Sequence, residues 1–377
     1  MIDFTKFLIR GDGVWWGQAA AEPRPLVDAL ITQNARIGPI RTFTGLSWND
    51  QLAVTMPDRV SMVSYGGLGE LRELSRTGRL EVVPCHYSAL PRMFAEHHLP
   101  CDVGLVQVSP PDRDGRCSLG VGVDYVADAV PHTPVLIAEI NAQMPATIGS
   151  EKIPLDRFTA TISTDRPLPE DPSRDPDDVD RRIADHIAEL VDDGDTVQLG
   201  VGSLGSAVLD SLAGHTDLGF HTGMITDGLM RLVDAGVATG RRKELDAGLI
   251  VVGTALGSAE LYKRVPELPV RFLPTSYTHS PQILSQLANH PPCHLACVEA
   301  MLEETPLTPP GADTPASAIA CIAVVKAGPS SPSARLIKLD HPELGGTELH
   351  HLHLFTPTEP SLHAHSPRPP RRAPPTP

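Results

Sequence analysis

The chain predicts an α/β protein made of two tandem open α/β domains, and three observations carry that prediction. Apolar runs of strand length alternate with helical patterns along most of the sequence. Two segments resemble each other: GDGVWWGQAAAEPRPLVDAL (Gly11 to Leu30) and GDTVQLGVGSLGSAVLDSL (Gly194 to Leu212) share Gly-Asp-x-Val-x-x-Gly and close on Leu-Val-Asp-Ala-Leu or Val-Leu-Asp-Ser-Leu. Between them lies a proline-rich acidic stretch, STDRPLPEDPSRDPDDVDRR (Ser163 to Arg182). Each copy of the repeat reads as a turn, a short strand, a bend and an amphipathic helix, so the pair points to an internal duplication. On this reading residues 1–165 form the first domain, 166–182 a solvated linker, 183–349 a shortened second domain and 350–377 a disordered tail.

The elements follow in order. RVSMVSYGG and LEVVPCHY read as strands, with the helix GELRELSRTG between them ending at Gly78. CDVGLVQVSP and TPVLIAEIN read as buried-strand runs, the pattern of strands covered on both faces. After the linker, DDVDRRIADHIAELVDDGD sets Ile183, Ile187 and Leu190 on one helical face. GLIVVGTALG reads as one further strand. From Thr356 the chain is proline, histidine and arginine with almost no apolar residue, too polar to bury a core.

Composition narrows the function classes. At 377 residues and 40.4 kDa, two domains are the default, and 41% hydrophobic residues with mean hydropathy -0.08 fit a water-soluble chain. A net charge of -15 argues against nucleic-acid binding. No apolar run reaches the roughly 20 residues of a membrane helix. The start, MIDFTKFLIRGDGVWWGQ, lacks a signal peptide's apolar core, so cytoplasmic residence is expected. The six cysteines form no CxxC pair. HPPCHLAC brings His290, Cys293, His294 and Cys297 together, as weak metal ligands or, more commonly, as buried thiols beside surface histidines. No metal site is assigned.

The bend VQLGVGSLGSAV sets Gly200 and Gly202 between a strand and a helix. Missing side chains let a ligand approach the backbone, and the amides at the helix start suit a pyrophosphate or a developing oxyanion. A tight turn without a ligand has the same sequence signature. No acidic residue ends the next strand about 20 residues on, so a dinucleotide fold does not fit.

The longer stretch GVGSLGSAVLDSLAGHTDLGFHTGMITDGLMRLVDAGV resembles the acetyl-CoA hydrolase/transferase family, class I CoA-transferases such as the 4-hydroxybutyrate and acetate CoA-transferases. VSYGGLGELREL, QVSPPDRDGRCSLGVGVDYV, AEINAQMPATIG, SYTHSP and LACVEAML fit the same pattern, and the resemblance runs from Met1 to about Leu302. It implies a pair of open α/β domains of the CoA-transferase type with the active site in the cleft between them. It also implies that Gly200, Val201, Gly202, Ser203 and Leu204 line coenzyme A, a substrate rather than a permanently bound cofactor. In the family a glutamate attacks the acyl-CoA thioester, and a glutamyl-CoA thioester then passes CoA to an acceptor carboxylate.

That glutamate belongs to a His-Ser-Glu-Met or His-Thr-Glu-Met motif. Here the motif reads HTGM, with Gly223 at the nucleophile's position between matching Thr222 and Met224. A second departure follows Leu302, where EETPLTPPGADTPASAIACIAVVKAG replaces the family's Gly-Gly-Gln-x-Asp-Phe loop. A shortened gene, a shifted reading frame and real divergence each account for it.

Several residues are candidates for the missing chemistry. Glu299 matches a family glutamate that lines the site, and is read as a replacement nucleophile or base, or as a substrate-facing structural residue. Asp227 reads as the cap of the next helix, His221 as a water activator or a backbone hydrogen-bonder, and Ser203 as an oxyanion donor or helix cap. Asp112 and Asp114 suit a metal or a turn; Trp15 and Trp16 suit a ligand contact or the core.

The expected function is an acyl-CoA-processing enzyme of the transferase or hydrolase type. It moves an acyl group or CoA between a thioester and a small acceptor, not through a glutamyl-CoA intermediate. The alternative is a non-catalytic acyl-CoA-binding protein, or a subunit whose partner supplies the nucleophile; homo- and hetero-oligomers both remain open. A third reading is a degenerate chain without a small-molecule role.

Overall fold

The computed structural model describes residues 2–171, 175–289, 295–302 and 320–327, the last two ranges by their backbone alone. By contacts the chain divides into Met1–Ile337 and Lys338–Pro377, and everything described belongs to the first unit. The expected tail, His290, Cys293 and His294, and the segment replacing the family's loop at 303–319 lie outside the described residues.

The first half is a parallel sheet with helices on both faces. Its strands are β1 (Gly13–Trp16), β2 (Ile40–Phe43), β3 (Val60–Ser64), β4 (Leu80–Val82), β5 (Val103–Val108), β6 (Arg116–Cys117), β7 (Val135–Asn141), β8 (Ile153–Pro154) and β9 (Ala160–Thr164). Its helices are α1 (Arg24–Ile37), α2 (Leu52–Thr55), α3 (Leu71–Arg76), α4 (Leu90–Ala95) and α5 (Asp124–Ala129). The sheet order is β4-β3-β2-β1-β5-β7-β9, parallel at every pairing, while β6 and β8 make a small antiparallel ladder.

Alternate side chains of each central strand enter different cores. Val14, Trp16, Met62, Val103 and Leu105 pack with α1 on one side; Trp15, Val63, Val106 and Val108 pack with Phe43, Phe94 and Tyr125 in the other. Burial on both faces is why these strands read as unbroken apolar runs. Trp15 and Trp16 are core residues: the Trp15 indole donates to Thr133 Oγ1 at 2.8 Å and meets Phe94 edge-on. Gly104 makes room for Trp15, since a Cβ there would stand 2.6 Å from the indole. The expected strand LEVVPCHY stops at Val82, the last residue paired with β3.

The stretch expected as a solvated linker is held down over its first part. Arg166 makes a bidentate ion pair with the fully buried Glu139 carboxylate, at 2.7 and 2.9 Å, and donates to the Glu22 carbonyl. Leu168 is buried, the Pro169 carbonyl accepts from the Tyr262 hydroxyl, and the Asp171 amide donates to Gly257.

The second half begins with α6 (Asp178–Ala188), opened by a reciprocal cap between Asp177 and Asp180 and buried at Ala184 and Ile187, with Ile183 and Leu190 partly covered. Next come β10 (Thr196–Leu199), α7 (Ser203–Ser211), β11 (Gly219–Phe220), β12 (Met224–Ile225) and α8 (Asp227–Asp234). After them run β13 (Ile250–Val252), β14 (Thr254–Ala255), α9 (Ala259–Arg264), β15 (Val270–Phe272), α10 (Thr275–Thr278), α11 (Pro281–Asn289), β16 (Leu295–Leu302) and β17 (Ala320–Ala327). β10 lies between β11 and β16, parallel to both, and β17 closes that sheet antiparallel. The single strand expected over GLIVVGTALG is two: β13 pairs β15, and β14 pairs β12. They part at Gly253, whose carbonyl is taken by amides of the first half. No described helix is long and apolar enough to cross a membrane.

Candidate functional site

β10 ends at Leu199, and the chain turns through Gly200 and Val201 to Gly202, the N-cap of α7, whose φ of 116° favours glycine. Gly205 lets the bend fold over the helix start, because a Cβ there would stand 2.7 Å from the Gly200 carbonyl oxygen. Val201 is exposed at the crest, while Ser203 and Leu204 are buried. The expected cap role of Ser203 does not hold: Gly202 occupies the N-cap and Ser203 is the first helical residue.

Gly223 is fastened beside this bend. The Thr222 hydroxyl accepts from the Leu199 amide at 3.1 Å and donates to the Leu199 carbonyl at 3.0 Å, locking the HTGM turn to the end of β10. The Gly223 carbonyl accepts from the Gly253 and Thr254 amides at 2.9 and 3.0 Å. The Gly253 carbonyl in turn accepts from Val123 and Asp124 at the start of α5, and Thr254 Oγ1 donates to Val121. The bend, Gly223 and the first half's Val121–Asp124 turn therefore meet in one place.

His279, just past α10, faces Gly223. A Cβ built on Gly223 would stand 3.2 Å from His279 Cε1 and 3.4 Å from Nε2. Apart from its chain neighbours, no other described residue comes within 4 Å of that point. His279 Nδ1 pairs with the Thr278 hydroxyl at 2.9 Å, and the Tyr87 ring meets the imidazole edge-on with centroids 4.8 Å apart. Burial pushes the His279 pKa down to about 4, so the ring is neutral at physiological pH.

Behind Tyr87 lies a buried polar chain from the first half. Gln18 Nε2 donates to Asp124 Oδ2 at 2.8 Å and to the Tyr87 hydroxyl at 3.1 Å, while its Oε1 accepts from the Leu46 amide and the Tyr65 hydroxyl. Burial raises the Asp124 pKa to about 6, opposed by the Gln18 hydrogen bond. Close by in sequence, Glu22 is fully buried against Ser47 and Asn49, and burial pushes its carboxyl up to about 7.

The other expected residues are placed as follows. Glu299 lies on β16, one residue beyond the pairing of Leu199 with Val298, so its backbone is level with the bend; its side chain lies outside the description. Asp227 does not cap α8: its carboxylate accepts from the Ser258 amide and hydroxyl at the start of α9, and Thr226 is the cap position of α8. His221 is fully buried against Tyr277, with no hydrogen bond of standard geometry at either ring nitrogen. Burial, with the Lys243 ammonium, pushes its pKa down to about 4, opposed by the Asp246 carboxylate and by the Thr278 and Tyr277 backbone beside the ring. Asp112 closes a turn through the amides of Asp114 and Arg116 and pairs with Lys152. Among the described residues no three His, Cys, Asp or Glu groups cluster as metal ligands.

Gln18, Asp124 and His279 escaped the sequence reading as site residues, though each stood in a stretch singled out there. Their signal is contact between distant segments, which spacing along one segment does not carry.

Comparisons with known proteins bear on the family. The family model of the acetyl-CoA hydrolase/transferase N-terminal domain matches residues 3–172. The 4-hydroxybutyrate coenzyme A transferase of Clostridium kluyveri is 37% identical over 287 residues, 73% of this chain and 65% of the relative, so the chain spans less than two thirds of that protein. The crystal structure of 4-hydroxybutyrate CoA-transferase from Porphyromonas gingivalis superposes with a TM-score of 0.63 at 34% identity, covering 74% of this chain and 67% of that one. RipA from Yersinia pestis superposes with a TM-score of 0.68 at 31% identity, over 74% and 68%. With its glycine bend, its HTGM turn and these likenesses in both halves, the chain belongs to the acetyl-CoA hydrolase/transferase family.

Proposed function

We propose that this protein processes acyl-CoA thioesters, moving an acyl group or CoA to a small acceptor without a covalent glutamyl-CoA intermediate. One observation carries the reading: Thr222 fastens Gly223, which has no side-chain nucleophile, against the bend whose amides suit a thioester oxyanion. Gly200 to Leu204 are the residues we assign to the CoA, with the helix start supplying backbone donors. An acceptor entering over Gly223 attacks the thioester carbonyl directly, and the CoA thiolate leaves. If the acceptor is a carboxylate, the mixed anhydride so formed is opened by the thiolate, which ends on the acceptor.

The family names of the relatives support the substrate class: they are CoA transferases for 4-hydroxybutyrate, succinate, acetate and butyrate. Incubating the full chain with short acyl-CoAs, with and without small carboxylates, tests the proposal. Thiol release or acyl exchange is expected, with sequential rather than ping-pong kinetics; neither reaction with any pair would reject it. A second reading, an acyl-CoA-binding protein or a subunit whose partner supplies the nucleophile, is favoured by the absence of a carboxylate within 4 Å of the Gly223 Cβ position among the described residues. It predicts calorimetric CoA binding without turnover.

A further inference from the structure

We infer that His279 is the general base of this site and that the acceptor it serves is water, held in the space over Gly223. The inference rests on the acyl-CoA reading above and names the acceptor within it. The two atoms nearest a side chain starting at position 223 are His279 Cε1 and Nε2, so the volume a carboxylate would sweep borders a ring nitrogen. That nitrogen stands open: no described group hydrogen-bonds Nε2, whereas Nδ1 is engaged by Thr278. Thr278 Oγ1 also lies 3.3 Å from the Pro274 carbonyl. With its single proton given to that carbonyl, the hydroxyl accepts from Nδ1–H. This is the tautomer that leaves the Nε2 lone pair toward Gly223. Tyr87, braced by Gln18, fixes the plane of the ring from the other side.

Among the described side chains, the alternatives near the bend are committed elsewhere. Asp124 accepts from Gln18 at Oδ2 and from the Val126 amide at Oδ1. Asp227 holds Ser258, and Glu22 holds Ser47 and Asn49. His221 is sealed in the core. Desolvation keeps His279 unprotonated at neutral pH but also weakens it as a base, so the transfer relies on the position of Nε2 beside Gly223.

The step balances as thioester hydrolysis. Nε2 takes a proton from the water as its oxygen adds to the thioester carbonyl, and the bend's amides hold the oxyanion. Collapse breaks the C–S bond, and the departing CoA thiolate takes the proton back from the imidazolium. The products are a free carboxylic acid and free CoA thiol.

The test measures thiol release from acetyl-CoA and butyryl-CoA by the full chain with no carboxylate acceptor present, alongside His279→Gln and His279→Ala. Both variants should fall about 10²–10³-fold with CoA affinity by calorimetry and melting temperature held. Added imidazole should restore part of the rate to His279→Ala only, which a packing role would not allow. Variant rates within twofold of wild type, or a loss that imidazole leaves unchanged, would overturn the inference. Acyl exchange with carboxylates but no hydrolysis by the wild type would overturn it while leaving the proposed function standing. Absence of both reactions would overturn the two together.

Discussion

Glycine at position 223 offers no side-chain nucleophile and sits on an unstrained backbone. Its φ lies outside the left-handed region, so an L residue fits the main chain there. A Cβ would press on the His279 ring at 3.2 Å, and the ring must yield by a few tenths of an ångström. Gly223→Glu should therefore cost on the order of 1 kcal/mol through overpacking. If the bend presents a thioester to this point, the variant should also gain a covalent CoA adduct after incubation with acyl-CoA. Intact protein mass reads the adduct directly; its absence from a folded variant would mean that position 223 does not face the thioester. The sequence alone drew attention to the glycine, through the HTGM motif. It did not disclose His279. A histidine in SYTHSP looks like any other until the fold sets it against a residue on a different strand-turn unit. The expected cap at Asp227 failed for a related reason: helix position was legible, but the competing donor Ser258 was not.

At the scale of elements, parallel strands were the most legible feature. A strand covered on both faces is mostly apolar without alternation, and β5 and β7 announce themselves that way, apart from Gln107, Glu139 and Asn141. Breaks were less legible. The division of GLIVVGTALG at Gly253 follows from amides donated by the other half of the chain, and the burial around Arg166 follows from a carboxylate on β7. Charge and proline content suggested solvent there because composition does not show a long-range partner. The tie between the HTGM turn and β10 is also an element-scale device. Thr222→Val keeps the shape but strands the Leu199 amide and carbonyl, a loss of about 1–3 kcal/mol for buried unsatisfied groups. Thermal melting should show that loss, and calorimetry should show weaker CoA binding as the bend is freed. CoA affinity equal to wild type would separate the bend from the ligand.

For the whole molecule, the site is assembled from both halves of the chain. The Gly253 carbonyl takes the Val123 and Asp124 amides, the Ile148 carbonyl takes the Phe272 amide at 2.7 Å, and Tyr87 lies against His279. The duplicated Gly-Asp-x-Val pattern indicated two related units, and each opens with a strand flanked by parallel neighbours. How those units close on each other was beyond the reach of periodicity, since the closing contacts join segments far apart in sequence. That closure is what sets Gly223 beside the neutral imidazole of His279. The most direct measurement is the intact mass of the wild-type protein during a single turnover with butyryl-CoA, taken while free thiol is followed in the same mixture. Thiol should appear with the protein mass unchanged throughout. A transient gain equal to CoA less one water would show that another carboxylate has taken the place of the missing glutamate and would contradict the account.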